Sequence, residues 1–250
     1  MRAMGKGVGL ELLGVRRVFD AGVTAIDGLS LRIGAGEFIA ILGPSGCGKS
    51  TLLRIIAGLD RATAGTVRWE EQPKIAYVFQ DAHLLPWRNV LKNVALPLEL
   101  MGVGKAVRLA DAEAAIRQVG LADAIDRYPN QLSGGMRMRV SLARALVTKP
   151  TVLLLDEPFA ALDEITRQKL DEQLRRLWEE SGLTVIFVTH STNEAVFLAE
   201  RAVVLTARPA KLVSDRTIQL PRERTGKLRA TAEFAGQTRF IFESLETAGG

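Results

Sequence analysis

From residue 10 to residue 33 apolar and polar positions alternate (LELLGVRRVF, then VTAIDGLSLRI), which predicts antiparallel strands with one buried face. The pattern then becomes continuously apolar, and residues 38–43 (FIAILG) predict a strand buried on both faces that runs into a turn. A helix is predicted over 50–58, ending at its glycine, followed by strands over 65–69 and 74–79. From 84 to about 146 Leu, Ala and Arg recur at helical spacing, with breaks at Pro97, Gly102, Gly120 and Pro129. Buried strands return at 151–155 and 183–188, helices at 164–181 and 191–200, and further strands at 202–205 and 210–219. Strand–helix alternation of this kind implies a mainly parallel sheet with right-handed crossovers. The last segment begins polar and basic (PRERTGK) and continues as a helix carrying Leu228, Phe234, Phe240, Ile241 and Leu245. Its tip, 247–250, is expected to be disordered. The fold class is therefore α/β, with an N-terminal antiparallel β subdomain. A helical subdomain is inserted at about 84–148, within a domain of residues 1–220, and 221–250 forms a helical tail.

The turn after the first buried strand changes the picture. GPSGCGKST places Gly43, Pro44, Ser45, Gly46, Cys47 and Gly48 in a glycine-rich loop, and Lys49, Ser50 and Thr51 at the start of a helix. This is the G-x-x-x-x-G-K-[ST] pattern in its strand–loop–helix context, so the core is of the P-loop NTPase kind. Backbone N–H groups can close on a phosphate where no Cβ obstructs them, and the helix N-terminus adds donors and partial positive charge. Lys49 supplies a full charge to the β/γ-phosphates, and the Ser50 hydroxyl suits Mg²⁺.

Two other stretches carry chemistry. VLLLDE ends a buried strand, expected beside the P-loop strand, in two acids. Asp156 can reach the Mg²⁺ shell, and Glu157 can accept a proton from a water attacking the γ-phosphate. LSGGM precedes the helix of RMRVSLARAL, where Ser133 can act as N-cap while Gly134 and Gly135 leave the first N–H groups accessible. That is a second anion cradle in another subdomain. Two chains packed head to tail could bring both cradles to one nucleotide.

Composition narrows the setting. Of 250 residues, 47% are hydrophobic and 24% charged, which excludes a largely disordered chain. No run approaches the ~20 apolar residues that span a bilayer. MRAMGKGVGLELLG lacks the apolar stretch of a signal peptide, so a cytoplasmic protein is expected. One cysteine, Cys47, allows neither an intrachain disulfide nor a Cys-rich metal site. Close to a helix N-terminus its thiolate is favoured, so alkylation should block activity and ATP protect. The charge of +5 is scattered, with no basic block interleaved with aromatics, so no nucleic-acid partner is expected.

In this order the motifs resemble those of the nucleotide-binding subunit of an ATP-binding-cassette (ABC) transporter, over roughly residues 10–220. The set comprises Walker A at 43–50, a Q-loop at Gln80, the LSGGM signature at 132–136 and Walker B at 152–156. Glu157, a D-loop (Ala161, Leu162, Asp163) and His190 in VTHS complete it. The resemblance implies that Phe19 stacks on adenine and that Gln80 senses the γ-phosphate and Mg²⁺. Ser133 and Gly135 would contact the γ-phosphate held by the opposite subunit, and Asp163 would lie at the dimer interface. His190 would touch the γ-phosphate and hold Glu157 and the attacking water in line. ATP and Mg²⁺ are the implied cofactors, and two copies would sandwich two ATP molecules.

VFQDAHLLPWRNVLKNVALPLEL and DEPFAALDEITR are further similar to the importer group serving nitrate, sulfonates, taurine and related small anions or thiamine precursors. Met136 and Met138 stand where Gln is usual in the wider family, Met136 as it often does in this group. An importer implies a separate transmembrane permease, a periplasmic substrate-binding protein acting through it, and a place at the cytoplasmic face of the inner membrane. Leu84, Leu85, Pro86 and Trp87 would offer the permease an apolar docking surface. A soluble ABC ATPase of nucleic acid or the ribosome usually carries two cassettes or a long coiled-coil insertion, and this chain has neither. The LLPW and LSGGM details argue against an exporter.

Overall fold

The structure is a computed structural model, which describes residues 6–20 and 22–249. Strands β1 (Leu10–Val18), β2 (Thr24–Ile33) and β4 (Ala64–Trp69) form an antiparallel sheet in the order β2-β1-β4. Strands β3 (Phe38–Leu42), β5 (Ile75–Val78), β6 (Val152–Asp156), β7 (Thr184–Val188), β8 (Arg201–Leu205) and β9 (Leu212–Thr217) form the main sheet, ordered β5-β6-β7-β3-β8-β9. Its pairings are parallel except for the antiparallel β9 edge. The sequence places 65–69 and 74–79 one after the other, but they go to different sheets.

Pleating divides the core in two, because successive side chains leave a strand on opposite faces. Phe38, Ala40, Leu42, Leu153, Leu155, Val185 and Phe187 face one apolar cluster; Ile39, Ile41, Val152, Leu154, Ile186 and Val188 face the other. Burial on both faces is why these strands read as unbroken apolar runs. The second face is covered by the antiparallel sheet and by helix α1 (Lys49–Ile56). The first is covered by α2 (Val90–Leu100), α3 (Lys105–Gln118), α4 (Gly134–Leu146), α5 (Glu164–Ser181), α6 (Thr192–Leu198) and α7 (Ala232–Gly249).

Four expectations are corrected. Strand β6 is not beside β3, because β7 lies between them. Pro97 does not break its helix; it lies inside α2, which continues because Val94, Ala95 and Leu98 are buried around it. Leu228 belongs to a short 3₁₀ turn (Gly226–Ala230) rather than to the last helix. Finally, α7 runs to Gly249 with Ala248 only 4% exposed, so this part of the expected disordered tip is packed. Gly250 lies outside the described residues.

Candidate functional site

Loop 43–48 leaves β3 in a conformation that glycine permits. Gly48 has φ +123°, and a Cβ there would stand 2.8 Å from the Ala25 carbonyl oxygen. Helix α1 begins at Lys49 without a side-chain cap, so its first N–H groups face the loop. The Lys49 ammonium, 4% exposed, donates to the carbonyls of Gly43 (2.8 Å) and Pro44 (3.0 Å). It lies 3.7 Å from Glu157 Oε1. An ammonium resting on backbone carbonyls can exchange them for phosphate oxygens without crossing an apolar barrier.

Although β7 separates β3 from β6, Asp156 still reaches the loop, because α1 leans across the sheet and packs on β6 and β7. The Ser50 hydroxyl donates to Asp156 Oδ1 at 2.8 Å. The Tyr77 hydroxyl donates to Asp156 Oδ2 at 2.9 Å. Burial, and then the charge of Asp156, hold the Tyr77 phenol above its ordinary pKa. A hydroxyl paired with a carboxylate is a hard-oxygen donor set that fits Mg²⁺, which binds through few protein ligands. Among the described residues no group of three or more His, Cys, Asp or Glu could hold a metal.

Glu157 follows at φ +45°, a left-handed conformation uncommon for a non-glycine residue, with its N–H bonded to the Val188 carbonyl at 3.0 Å. Its Oε2 lies 3.3 Å from His190 Nδ1. When Nδ1 carries the hydrogen, that contact is a hydrogen bond and Nε2 is left as acceptor; a protonated ring donates from both nitrogens. Behind His190 the Thr189 hydroxyl bonds the Glu194 carboxyl, and burial raises the pKa of Glu194. A cavity of about 140 Å³ is lined by Gly46, Gly48, Lys49, Ser50, Thr51, Glu157 and Arg208.

Other expected residues stand apart from this cavity. Phe19 follows β1, 38% exposed, with the Arg17 guanidinium 4.8 Å from its ring centroid. Gln80 is exposed two residues beyond the end of β5. Ser45 is exposed, but Cys47 is 1% exposed and packs in the core beneath the loop, against the expectation of a reactive thiol. Leu84 packs on the core whereas Trp87 is 71% exposed, so the LLPW segment is only partly a surface. An apolar groove of about 340 Å³ runs nearby, with Tyr77, Phe79, Leu96, Pro97 and Leu100 in its lining.

The second cradle forms its own patch. Ser133 caps α4, accepting from the Met136 N–H at 3.3 Å, and Arg137 holds the Leu132 carbonyl at 2.8 Å. A Cβ on Gly135 would stand 2.5 Å from Thr166 Cγ2, and one on Gly134 3.5 Å from Leu162 Cδ2. The patch therefore abuts the start of α5, where Asp163 accepts from the Thr166 N–H at 3.0 Å. That bond holds the Asp163 carboxyl below its ordinary range. Ile165 beside it is 69% exposed. Met138, by contrast, is buried in the core.

Sequence reasoning missed Tyr77 and Arg208. Tyr77 reaches Asp156 across 79 residues and Arg208 reaches Gly46 across 162, and neither stands in a phosphate motif. The one available signal for Tyr77 was its place on the strand leading to Gln80.

The profile of the ABC transporter family matches residues 26–160. The chain is 46% identical over 248 residues, covering 96% of it and 92% of the relative, to an uncharacterized ABC transporter ATP-binding protein of Methanocaldococcus jannaschii. It is 49% identical over 212 residues, covering 85% of it and 84% of the relative, to an aliphatic sulfonates import ATP-binding protein of a Mycobacterium species. Among solved structures, a dimeric post-hydrolysis state of an ATP-binding cassette bound to ADP and Pi superposes with a TM-score of 0.76 at 33% identity. That match covers 85% of this chain and 100% of the other.

Proposed function

The chain belongs to the ABC transporter family and is an ATPase of that family, and we propose the division of labour among its residues and the transport step that it drives. The loop 43–51 binds the triphosphate, and Phe19 stacks on the adenine. Lys49 leaves the Gly43 and Pro44 carbonyls for the phosphates. Ser50 and Asp156 would hold the nucleotide's Mg²⁺, with Gln80 approaching the same shell, and the ion would supply charge neutralisation at the phosphates. Glu157 orients or deprotonates the attacking water, and His190 fixes Glu157 and that water in line. The carrying observation is the convergence of Lys49, Ser50, Asp156, Glu157 and His190 at one end of the sheet. Ser133, Gly134 and Gly135 lie outside the cavity that Lys49, Ser50 and Glu157 help to line.

Each cavity is then completed by the Ser133–Gly135 cradle of a second copy packed head to tail, with Asp163 at the interface. Closure of this sandwich excludes water other than the nucleophile, and hydrolysis removes the phosphate that held the halves together. Among the described residues no helix is long and apolar enough to cross a membrane, so the work passes to a separate permease. The apolar groove beside Tyr77 and Phe79, with exposed Trp87, receives a segment of that permease at the cytoplasmic face of the inner membrane. The cargo is a small anion of the sulfonate kind, as the name of the mycobacterial relative suggests. A substrate-binding protein would act through the permease. Glu157→Gln should bind ATP, lose at least about a hundredfold in hydrolysis and accumulate as a dimer in gel filtration with ATP. A monomer at saturating ATP would refute the sandwich, and stable association with DNA or ribosomes instead of a membrane permease would refute the transport role.

A further inference from the structure

Arg208 is absent from every motif above, yet it touches the phosphate loop. Its Nε and Nη2 donate to the Gly46 carbonyl at 3.2 and 2.8 Å, and its side chain lines the cavity. It projects from a braced turn between β8 and β9. There the Thr206 hydroxyl donates to the Pro209 carbonyl at 2.8 Å and accepts from the Lys211 N–H at 2.9 Å. The Ala210 N–H is bonded to the Ala25 carbonyl at 2.8 Å. The residue before Arg208 is held from the other side. Ala207 N–H donates to the Ala248 carbonyl, at the end of α7, at 3.0 Å, and Ala248 is buried.

We propose that Arg208 is a positioning residue for the phosphate cradle and that the end of the C-terminal helix sets it in place. Gly46 sits at φ +72°, a conformation that glycine reaches freely, so its peptide with Cys47 is fixed by outside partners: the Cys47 N–H donates to the Pro44 carbonyl at 3.3 Å on one side, and Arg208 holds the carbonyl on the other. In a planar trans peptide the carbonyl and the following N–H point in opposite directions. A Gly46 carbonyl left without a donor would set partial negative charge against a phosphate; held by the Arg208 guanidinium, that charge is compensated. Arg208 thus selects the receptive orientation before the nucleotide arrives, and α7 limits where Arg208 can reach. The inference rests on the reading of 43–51 as the nucleotide's phosphate site.

Calorimetric titration of the full-length protein with ATP and with ADP tests it. Arg208→Ala should lose roughly tenfold in affinity for both nucleotides, as when a charge-assisted hydrogen bond is removed. Its melting temperature should hardly change, because Arg208 is exposed. Arg208→Lys, which keeps the charge and a donor, should recover most of the loss. Ala248→Gln should weaken both nucleotides by less and add nothing to Arg208→Ala in the double variant. Ala248→Val tests the same contact if the glutamine is not accommodated. Unchanged affinity in Arg208→Ala overturns the proposal, as does a loss confined to ATP, which would mean direct contact with the γ-phosphate. Additive effects of the two sites overturn the part assigned to α7. A wild-type protein that binds neither nucleotide overturns the reading of the site itself.

Discussion

The two anion cradles of this chain are built to different degrees. At loop 43–51 the charged and polar groups already hold one another: Lys49 rests on carbonyls, Ser50 and Tyr77 share Asp156, and Glu157 stands between Lys49 and His190. At Ser133–Gly135 one 3.3 Å cap bond fixes the serine, Leu162 and Thr166 lie against the glycines, and Ile165 next to Thr166 is exposed. Pre-organised donors cost little to rearrange when charge develops, so the first cradle is suited to chemistry. An open helix N-terminus beside exposed apolar surface is suited to recognition across an interface. On the proposed reading, one chain carries both halves of a site, with a partner needed to join them.

The sharpest way to break that comparison is to inactivate the halves separately. Lys49→Ala, which removes the ammonium, and Ser133→Arg, which removes the cap and fills the second cradle with a bulky side chain, should each lower hydrolysis by at least about a hundredfold. Mixing the two purified variants should restore measurable hydrolysis. In a head-to-tail mixed dimer one site carries both lesions and the other carries neither. A mixture as inactive as its parts would mean that both cradles serve one nucleotide within one chain.

The same comparison explains what the sequence could tell. Walker A, LSGGM and the acids of Walker B are legible because their chemistry is local: a loop, a helix start and a strand end, each defined within a few residues. The alternating faces of β3, β6 and β7 were likewise visible as apolar runs. Sheet order was not, since nothing in the hydrophobic pattern says that β7 separates β3 from β6. The reach of Asp156 to Ser50 depends on how α1 lies across the sheet, which is a packing property. Burial of Cys47 is similar: its place close to a helix N-terminus suggested a reactive thiolate, but the loop turns this side chain down into the core. Iodoacetamide should therefore label Cys47 in the nucleotide-free protein much more slowly than in urea, by mass spectrometry. Rapid native labelling would mean that the first cradle is looser than its hydrogen bonds indicate.

A smaller effect probes the side of the first cradle away from the phosphates. Tyr77→Phe leaves the ring, which lies 4.3 Å centroid to centroid from Phe79, and deletes only the bond to Asp156 Oδ2. Asp156 then turns more freely, and the Mg²⁺ concentration giving half-maximal nucleotide binding should rise about threefold. Nucleotide affinity measured in EDTA should be unchanged. An equal loss with and without the metal would assign Tyr77 to packing alone.

The smallest expected effect concerns the buried cluster linking the ends of α5 and α6. Asp171, 1% exposed, pairs with Arg229 at 2.5 Å, and Arg167 stands 3.8 Å from Glu194, which holds Thr189 next to His190. Arg167 also donates to the Leu162 carbonyl at 2.8 Å, beside the second cradle. Burial, with Glu194 adding to it, pushes the Asp171 carboxyl up to about 8, while Arg229 opposes the shift. The folded state therefore holds a proton that the unfolded chain releases near its ordinary carboxylate value. Between these two values the unfolded state binds fewer protons, so stability falls as pH rises. Melting temperature should drop by a few degrees between about pH 5 and pH 8 for this reason, and Asp171→Asn should flatten that part of the curve. If the wild type and Asp171→Asn keep parallel curves, the Asp171–Arg229 pair is ionised throughout, and the cluster is a fixed ionic brace between the two cradles rather than one that weakens with pH.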